Sequence, residues 1–246
     1  MNLKGLLKFY YVTLRYRYLV NQTEIKYLLR AIAPGATAID IGAHKGGYLF
    51  WIRKKAGTTG KVIGFEPQKS LYEKLLQLCK HFNWKNVSVE NIGVSDQEGL
   101  HKFYIPLTKD GASAEASLTD FRVGTGQFIE TSIQTTTLDR YCAKYGLQPS
   151  FIKIDVEGFE YEVLNGTMEI LRTCKPKILI EVEQRHLKNR VVADVFGLLL
   201  GVGYTGHFIY DRKILPLVDF RVEEHQNVSV PNFETSARYA NNFIFE

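Results

Sequence analysis

The first residues suited to chemistry form a glycine-rich turn. The segment reads Asp40-Ile41-Gly42-Ala43-His44-Lys45-Gly46-Gly47, between an apolar strand-like stretch and a segment with helical periodicity. Glycine lets a backbone approach a ligand closely, and the amides at a helix N-terminus point towards that ligand. We therefore predict a small-molecule site whose cofactor-binding residues include Asp40, Gly42, Ala43, His44 and Gly46.

The spacing of the glycines discriminates between cofactors. A dinucleotide-binding turn has the pattern GxGxxG, whereas here Ala43 and His44 follow Gly42 and the pattern is GxxxGG. A buried Asp40 would repel a cofactor phosphate but would attract the sulfonium and ammonium groups of S-adenosylmethionine. The turn thus favours S-adenosylmethionine over NAD.

A second acidic position ends the next predicted strand, which spans residues 61–66. Glu66 lies 24 residues after Gly42 and directly before Pro67, close to the offset of about 20 residues at which acids bind ribose in related turns. We predict that Glu66 accepts hydrogen bonds from ribose hydroxyls and that Pro67 holds the turn.

Further acids follow a later apolar strand, at the sheet edge where open α/β sheets bind ligands. Residues 151–155 end in Asp155, and Glu157 comes two positions later. Lys153, inside that apolar strand, should point outward or pair with an acid. Alternatively, Glu157 or Glu160 is a helix N-terminal acid that the helix dipole favours.

These segments alternate as strand, helix, strand, which predicts a parallel sheet with helices on both faces. We therefore expect an α/β, Rossmann-like fold with a mostly parallel twisted sheet. Residues 100–105 and 128–137 alternate as strands and predict a β-hairpin-like insertion, with a mobile loop at 107–127. Residues 3–19 and 22–33 predict N-terminal helices, so we expect an N-terminal helical extension over 1–35 and one domain over 36–246.

The composition and charge of the chain limit which partners and which cellular compartment we expect. The chain has 246 residues, a net charge of +5 and three widely spaced cysteines. We therefore expect a reducing, cytoplasmic setting, and we expect neither a zinc site nor a disulfide framework. The positive charge is spread along the chain, which argues against nucleic acid as a partner. The exception is the basic, aromatic-rich first helix, which is expected to pack on the domain or a partner subunit, or to make a weak contact with an anionic membrane surface.

The chain resembles one known family through several motifs together. AIDIGAHKGGY, GFEPQ, ENIGVSD, TTTLDRY, FIKIDVEGFEYEVLNG and the closing ANNFIFE are similar to the FkbM-type methyltransferases, over residues 36–246. The resemblance implies a class I methyltransferase fold, S-adenosylmethionine as donor, and methyl transfer to a hydroxyl of a sugar, a glycan component or another small metabolite.

The resemblance also implies roles for individual residues. Asp40, Gly42 and Gly46 would line the methionine and ribose side of the cofactor, and Glu66 would hold the ribose. Asn91 would approach the adenine. Asp155 and Glu157 would face the methyl-transfer cavity, with Asp155 also contacting the cofactor.

A hydroxyl acceptor gains from a general base. The catalytic candidates are Asp155, Glu157, Glu181 and His186, with Glu183 and His44 as further candidates for the base. Glu183 and His186 could instead be ordinary surface residues after their strand. No dedicated metal-ligand spacing is present, and no metal is predicted.

Two other functions stay open from the sequence. One is an NAD-dependent oxidoreductase on a similar sheet. The missing glycine of the GxGxxG pattern argues against it. The other is a non-catalytic binding protein on the same fold, against which the intact Asp40, Gly42, Gly46 and Glu66 count. Binding of S-adenosylhomocysteine or NAD separates these alternatives.

Overall fold

A computed structural model describes residues 3–108, 111–112, 128–230 and 232–246. Its strands are β1 Thr37–Ile41, β2 Lys61–Phe65, β3 Val87–Glu90, β4 Gly93–Val94, β5 Gly99–Thr108, β6 Gly111–Ala112, β7 Phe128–Thr136, β8 Phe151–Ile154, β9 Lys177–Glu181, β10 Gly206–Tyr210, β11 Lys213–Pro216 and β12 Asn242–Phe245. Its α-helices are α1 Leu3–Arg15, α2 Gln22–Ala31, α3 Gly47–Ala56, α4 Lys69–His81, α5 Leu138–Tyr145, α6 Glu160–Asn165, α7 Met168–Thr173, α8 Val192–Gly201 and α9 Val222–His225.

The main sheet has eight strands in the order β11-β10-β12-β9-β8-β1-β2-β3. The five strands from β9 to β3 are parallel, whereas β12 runs antiparallel to both β9 and β10. The order changes direction between β1 and β8, and ligands bind at such a switch point beyond the carboxyl ends of the strands. The predicted α/β fold with a mostly parallel sheet is confirmed.

The core has two apolar clusters, one on each face of this sheet. Neighbouring residues of β8 fall into different clusters: Phe151 packs with α2 and α3, and Ile152 packs with α6, α7 and α8. Strands buried on both faces need continuous apolar runs rather than alternation, which explains the composition of β1, β8 and β9.

The predicted hairpin is confirmed. β5 and β7 pair antiparallel from Gly99 opposite Thr135 to Pro106 opposite Phe128, and β4 and β6 extend them to a four-stranded sheet. Of the loop predicted at 107–127, residues 109–110 and 113–127 lie outside the described residues. Helix α5 and strand β11 were not predicted, since both are short and α5 depends on an N-cap in which Arg140 N donates to Thr137 Oγ1.

The first predicted helix ends at Arg15 and continues as a π-helical turn, Tyr16–Val20, whose sequence shows no helix-stopping residue. The sequence predicts a helix over 159–171 with an interruption near Asn165-Gly166, and the structure divides this segment there into α6 and α7. Within the described residues, no helix combines the length and apolarity that crossing a bilayer requires.

Helix α1 packs on the domain, as one of the sequence-based alternatives predicted. Phe9 is buried against the rings of Phe50, Phe82 and Trp84, and Trp51 Nε1 donates a hydrogen bond to the Thr13 carbonyl at 3.0 Å. The extension is therefore part of one of the two apolar clusters.

Replacing Phe9 by Ala tests this packing. Because the ring is buried among other rings, we expect F9A to lower the free energy of unfolding by about 3 kcal/mol, measured by urea denaturation. The matched control is Tyr11→Ala, since Tyr11 is 63% exposed on the same helix and should change stability by less than about 0.5 kcal/mol. Equal effects in the two variants would contradict a buried role for α1.

Candidate functional site

A cavity of about 300 Å³ lies beyond the carboxyl ends of the central strands, at the switch point of the sheet. The turns after β1, β2, β3 and β8, the end of β9, and the hairpin residues Phe103 and Ile133 all contribute to its wall. Of the predicted site residues, the cavity is lined by Gly42, His44, Glu66, Pro67, Asp155, Glu157 and Glu181, whereas Asp40, Ala43, Gly46, Asn91 and His186 lie behind this lining.

The glycine turn after β1 is fixed by its contact with the turn after β8. Gly42 has φ +83°, and a Cβ there would overlap the carbonyl oxygen of Asp155. Glycine is therefore needed for a close approach of two backbone segments as well as for a left-handed conformation. Gly46, also at positive φ, faces Leu75 of α4 rather than the cavity.

Glu66 joins the two segments predicted to hold the cofactor. One carboxylate oxygen accepts a hydrogen bond from the amide of His44 at 2.7 Å, and the other accepts one from the amide of Gln68 at 2.8 Å. Burial raises the pKa of Glu66 to about 7 in spite of these two bonds. Carboxylate oxygens have further lone pairs, so Glu66 can still accept from a ligand in the cavity that it lines.

Asn91 supports this turn from behind. Its side-chain amide donates to the carbonyls of Glu66 and Pro67, at 3.0 and 2.9 Å. The cavity wall next to it consists of Ile92 and Gly93 instead. The predicted adenine side is therefore apolar, and Asn91 acts on it by holding the position of Pro67.

A buried ammonium lies between the acids at the centre of the sheet. Lys153 is 1% exposed, and its Nζ is 2.7 Å from Asp155 Oδ2 and 4.8 Å from the centre of the Tyr48 ring. Burial alone would lower the pKa of Lys153, but Asp155, Glu181 and Asp40 outweigh burial and raise it. Of the two alternatives predicted for Lys153, pointing outward or pairing with an acid, the structure shows the second.

Asp40 is buried beneath the glycine turn, and one of its carboxylate oxygens makes no hydrogen bond to any described residue. Burial raises the pKa of Asp40 to about 7, although the nearby Lys153 opposes that effect. Glu181, which lines the cavity, accepts a hydrogen bond from Asn241 Nδ2 at 2.7 Å. Burial, followed by the charge of Asp155, raises the pKa of Glu181 well above its ordinary value.

Glu157 and His186 form a pair next to this cluster. His186 Nδ1 is 3.1 Å from a carboxylate oxygen of Glu157, and Glu157 has φ +53°, a backbone conformation that is unusual for a non-glycine residue. His186 is therefore joined to the cavity through Glu157, which lines it. Glu160 binds the amide of Gly158 at 3.0 Å where α6 begins, which is the helix N-terminal role considered from the sequence.

The structure changes the expectations for Glu183 and His44, the two further candidates for the general base. Glu183 is buried and binds Arg185 Nε at 2.6 Å and the Tyr239 hydroxyl at 2.7 Å, so its interpretation as a surface residue is wrong. Burial lowers the pKa of His44 to about 4. The imidazole of His44 is thus neutral at pH 7 but too weak a base to be well matched to that pH.

The N-terminal extension supplies a wall that sequence reasoning missed. Arg15, Tyr16 and Asn21, at or beside the π-helical turn, line the cavity, and π-helical turns occur frequently at functional sites. The Tyr16 ring lies over Gly47, where a Cβ would be 2.6 Å from the ring. Gly47 is the sequence signal that could have indicated this contact, because the cofactor turn itself does not require a second glycine after Gly46.

A mostly parallel sheet with a cavity at its switch point is typical of α/β enzymes that bind a nucleoside-containing cofactor beyond the carboxyl ends of their strands. Residues 40–206, more than half of the chain, match the family described as "Methyltransferase FkbM domain". The chain belongs to this family, and membership identifies an S-adenosylmethionine-dependent methyltransferase domain. The alternative of an NAD-dependent oxidoreductase is thereby set aside.

Two solved structures are similar to this chain, one of them with a TM-score above 0.5. The FkbM methyltransferase of Methylobacillus flagellatus KT is 15% identical with a TM-score of 0.54, and the alignment covers 96% of this chain and 53% of that one. The O-methyltransferase of Bacillus cereus, solved in complex with SAH, is 12% identical with a TM-score of 0.49 over 100% of this chain and 90% of that one. The chain thus spans about half of the Methylobacillus protein, and identities this low show the fold alone. Among curated proteins, none matches the sequence.

Replacing Asp40 by Asn tests the electrostatic cost of the buried acid. Burial raises the pKa of Asp40 in the folded state from 3.8 to about 7. The free energy of unfolding is therefore highest below about pH 4, where Asp40 is protonated in both states, and this part of the stability is lost as the pH rises through about 7. We expect D40N to unfold with a free energy about 1–4 kcal/mol higher than the unsubstituted chain at about pH 8, and to match it at about pH 4.

The measurement is urea denaturation at both pH values, without cofactor. Asp219→Asn is the control, because Asp219 is exposed and its substitution should leave the pH dependence unchanged. A D40N chain that is less stable than the unsubstituted one at the higher pH would show that Asp40 is ionised and stabilising.

Proposed function

We propose that the chain transfers a methyl group from S-adenosylmethionine to a hydroxyl oxygen of a small acceptor, a sugar, a glycan component or another metabolite. The observation that carries this proposal is the acidic wall of the cavity. Asp155, Glu157 and Glu181 all line it, together with Glu66 at the end of β2. Such a wall suits a cationic donor and an acceptor that must lose a proton.

The residues present fit the cofactor. Glu66 would accept hydrogen bonds from the ribose hydroxyls, the turn at Gly42 and His44 would border the methionine side, and Pro67 with Ile92 would contact the adenine. Among the described residues, the carboxyls of Asp155, Glu181 and Asp40 lie around the buried ammonium of Lys153, and this excess of carboxyls favours a ligand with positive charge. When bound, the cofactor supplies an electrophilic methyl group on a sulfonium.

Glu181 is our candidate for the general base. A hydroxyl is a poor nucleophile, and a base works best when its pKa lies near the working pH. The raised pKa of Glu181 moves this carboxyl towards that range, and the hydrogen bond from Asn241 fixes its orientation. Asp155, held by Lys153, would orient the acceptor at the reacting edge, and His186 would position Glu157.

We further propose that residues 1–35 are an extension that completes the site of a methyltransferase domain spanning 36–246. The cavity-lining positions of Arg15, Tyr16 and Asn21 support this organisation, because they cover the side of the cavity next to the glycine turn and would exclude water. A cytoplasmic location is proposed as well, supported by the three free cysteines, Cys79, Cys142 and Cys174.

Replacing Glu66 by Ala tests cofactor binding. Because Glu66 should hold the ribose and fixes the amide of His44, we expect E66A to bind S-adenosylhomocysteine about 10- to 100-fold more weakly, measured by isothermal titration calorimetry. Glu73→Ala, on the exposed face of α4, is the matched control and should bind normally. Unchanged affinity in E66A would refute the assignment of Glu66 to the ribose.

Replacing Asp155 by Asn tests the reacting edge. We expect D155N to keep its fold and its affinity for S-adenosylhomocysteine within about tenfold, while turnover falls about 100-fold or more, since the acceptor loses its orienting carboxylate. Turnover is measured as release of S-adenosylhomocysteine with a panel of sugars, glycans and hydroxylated metabolites. Turnover equal to that of the unsubstituted chain would remove Asp155 from the site.

The same panel tests the function as a whole. Binding of S-adenosylhomocysteine together with methylation of a hydroxylated acceptor is the expected result. A chain that binds no S-adenosylhomocysteine would support the non-catalytic alternative. Methylation of nitrogen or carbon instead would overturn the choice of oxygen while leaving the donor in place.

A further inference from the structure

Helix α1 presents three different surfaces around its axis. One side, with Phe9 and Thr13, is buried against the domain. A second side is an exposed row of large apolar and aromatic side chains, which we call the α1 apolar stripe and which consists of Leu3, Leu7, Tyr11 and Leu14. These side chains are between 46% and 72% exposed, whereas Tyr10, at the edge of the row, packs against the rings of Phe50 and Phe82.

A basic strip runs beside this stripe. At 100° per residue, Lys4 and Lys8 fall between the apolar stripe and the buried side, and both lysines are exposed. The strip continues onto the domain, because Lys8 borders a groove of about 400 Å³ between α1 and α4 that Lys45 and Lys74 also line. Leu75 and Leu78 form part of the apolar wall of this groove.

The three lysines of the groove lie close enough to repel each other. Partial burial lowers the pKa of Lys45, and the charges of Lys8 and Lys74 lower it further. None of the described residues that line the groove is acidic. An anion between the three ammonium groups would relieve this repulsion.

We propose that α1 docks the protein on a membrane surface that contains anionic lipid. The α1 apolar stripe would enter the boundary between headgroups and acyl chains, and Lys4, Lys8, Lys45 and Lys74 would bind lipid phosphates. A helix with large apolar residues on one side and lysines next to them is the pattern of a helix that lies in a membrane interface. Each lysine near an anionic surface strengthens the attraction, and such attractions add.

Charge favours this occupant over a second copy of the chain. Two copies that meet through α1 would bring two basic strips together, whereas an anionic membrane complements the strip. The net charge of +5 points in the same direction. The proposal does not depend on methyl transfer, because it concerns a surface outside the cofactor cavity.

The test is flotation of the full chain with vesicles. One set of vesicles contains phosphatidylcholine alone, and the other contains about 30 mol% phosphatidylglycerol, both at low salt. We expect binding to the anionic vesicles that is at least about tenfold tighter than to the neutral ones, and that falls by a similar factor near 1 M salt, where charges are screened within about 3 Å.

Two pairs of variants separate the components of the surface. Leu7→Asp with Leu14→Asp places charge on the apolar stripe, and Lys8→Gln with Lys74→Gln removes charge from the strip; each pair should weaken binding at least about tenfold. The control for the first pair is Val218→Asp, an apolar residue that is 76% exposed elsewhere. The control for the second pair is Lys144→Gln with Lys213→Gln, two exposed lysines that lie on α5 and β11. Both controls should bind like the unsubstituted chain.

Each result decides for or against the proposal. The proposal is supported if the chain binds anionic vesicles selectively, if both pairs of variants lose this binding and if both controls keep it. Absence of vesicle binding, or binding that the Leu7 and Leu14 substitutions leave unchanged, overturns it. A chain that sediments as a dimer, and becomes a monomer in the Leu7 and Leu14 variant without any vesicle binding, shows that a second copy covers the stripe instead. Circular dichroism confirms that each variant is folded, since all the substituted side chains are exposed.

Discussion

Lys153 imposes the central constraint on this molecule. An ammonium buried inside a parallel strand is costly unless acids compensate it, and here Asp155, Asp40 and Glu181 all contribute. These acids come from the carboxyl ends of β8, β1 and β9, three adjacent strands of the sheet. The need to balance one buried charge therefore brings together the carboxyls of the cavity and holds one of them, Asp155, at 2.7 Å.

The same region is connected by backbone contacts. Gly42 lies against the Asp155 carbonyl, and Glu66 binds the amide of His44. Three turns that follow three different strands are thus linked directly to each other. A change in one turn is transmitted to the other two, which suits a site that must hold a donor and an acceptor in line.

Much of this arrangement could be predicted because its signals are local. The apolar runs of β1, β8 and β9, the glycine turn and the acid at Glu66 are all visible within short windows of sequence. Pairing of Lys153 with an acid was one of the two alternatives that followed from its position in an apolar strand. The interruption of the helix after Asn165 followed from the glycine beside it.

The remaining features depend on contacts between distant segments. Tyr16 reaches the cavity only because α1 packs on α3, and nothing in its own window indicates a site. Glu183 looked like a surface acid, yet Arg185 and Tyr239 compensate its burial. Asn241, 60 residues after Glu181, orients that carboxyl. Periodicity and motif spacing carry no information about such pairs.

The placement of β12 has a consequence for biosynthesis. Because β12 is inserted between β9 and β10, a nascent chain on the ribosome must leave that gap open until residues 242–245 emerge. Asn241, which orients Glu181, arrives with them, 225 residues after Tyr16. The cavity is therefore assembled from segments that are synthesised far apart in time, and a partly synthesised protein lacks the oriented acid even when its cofactor turn is already formed.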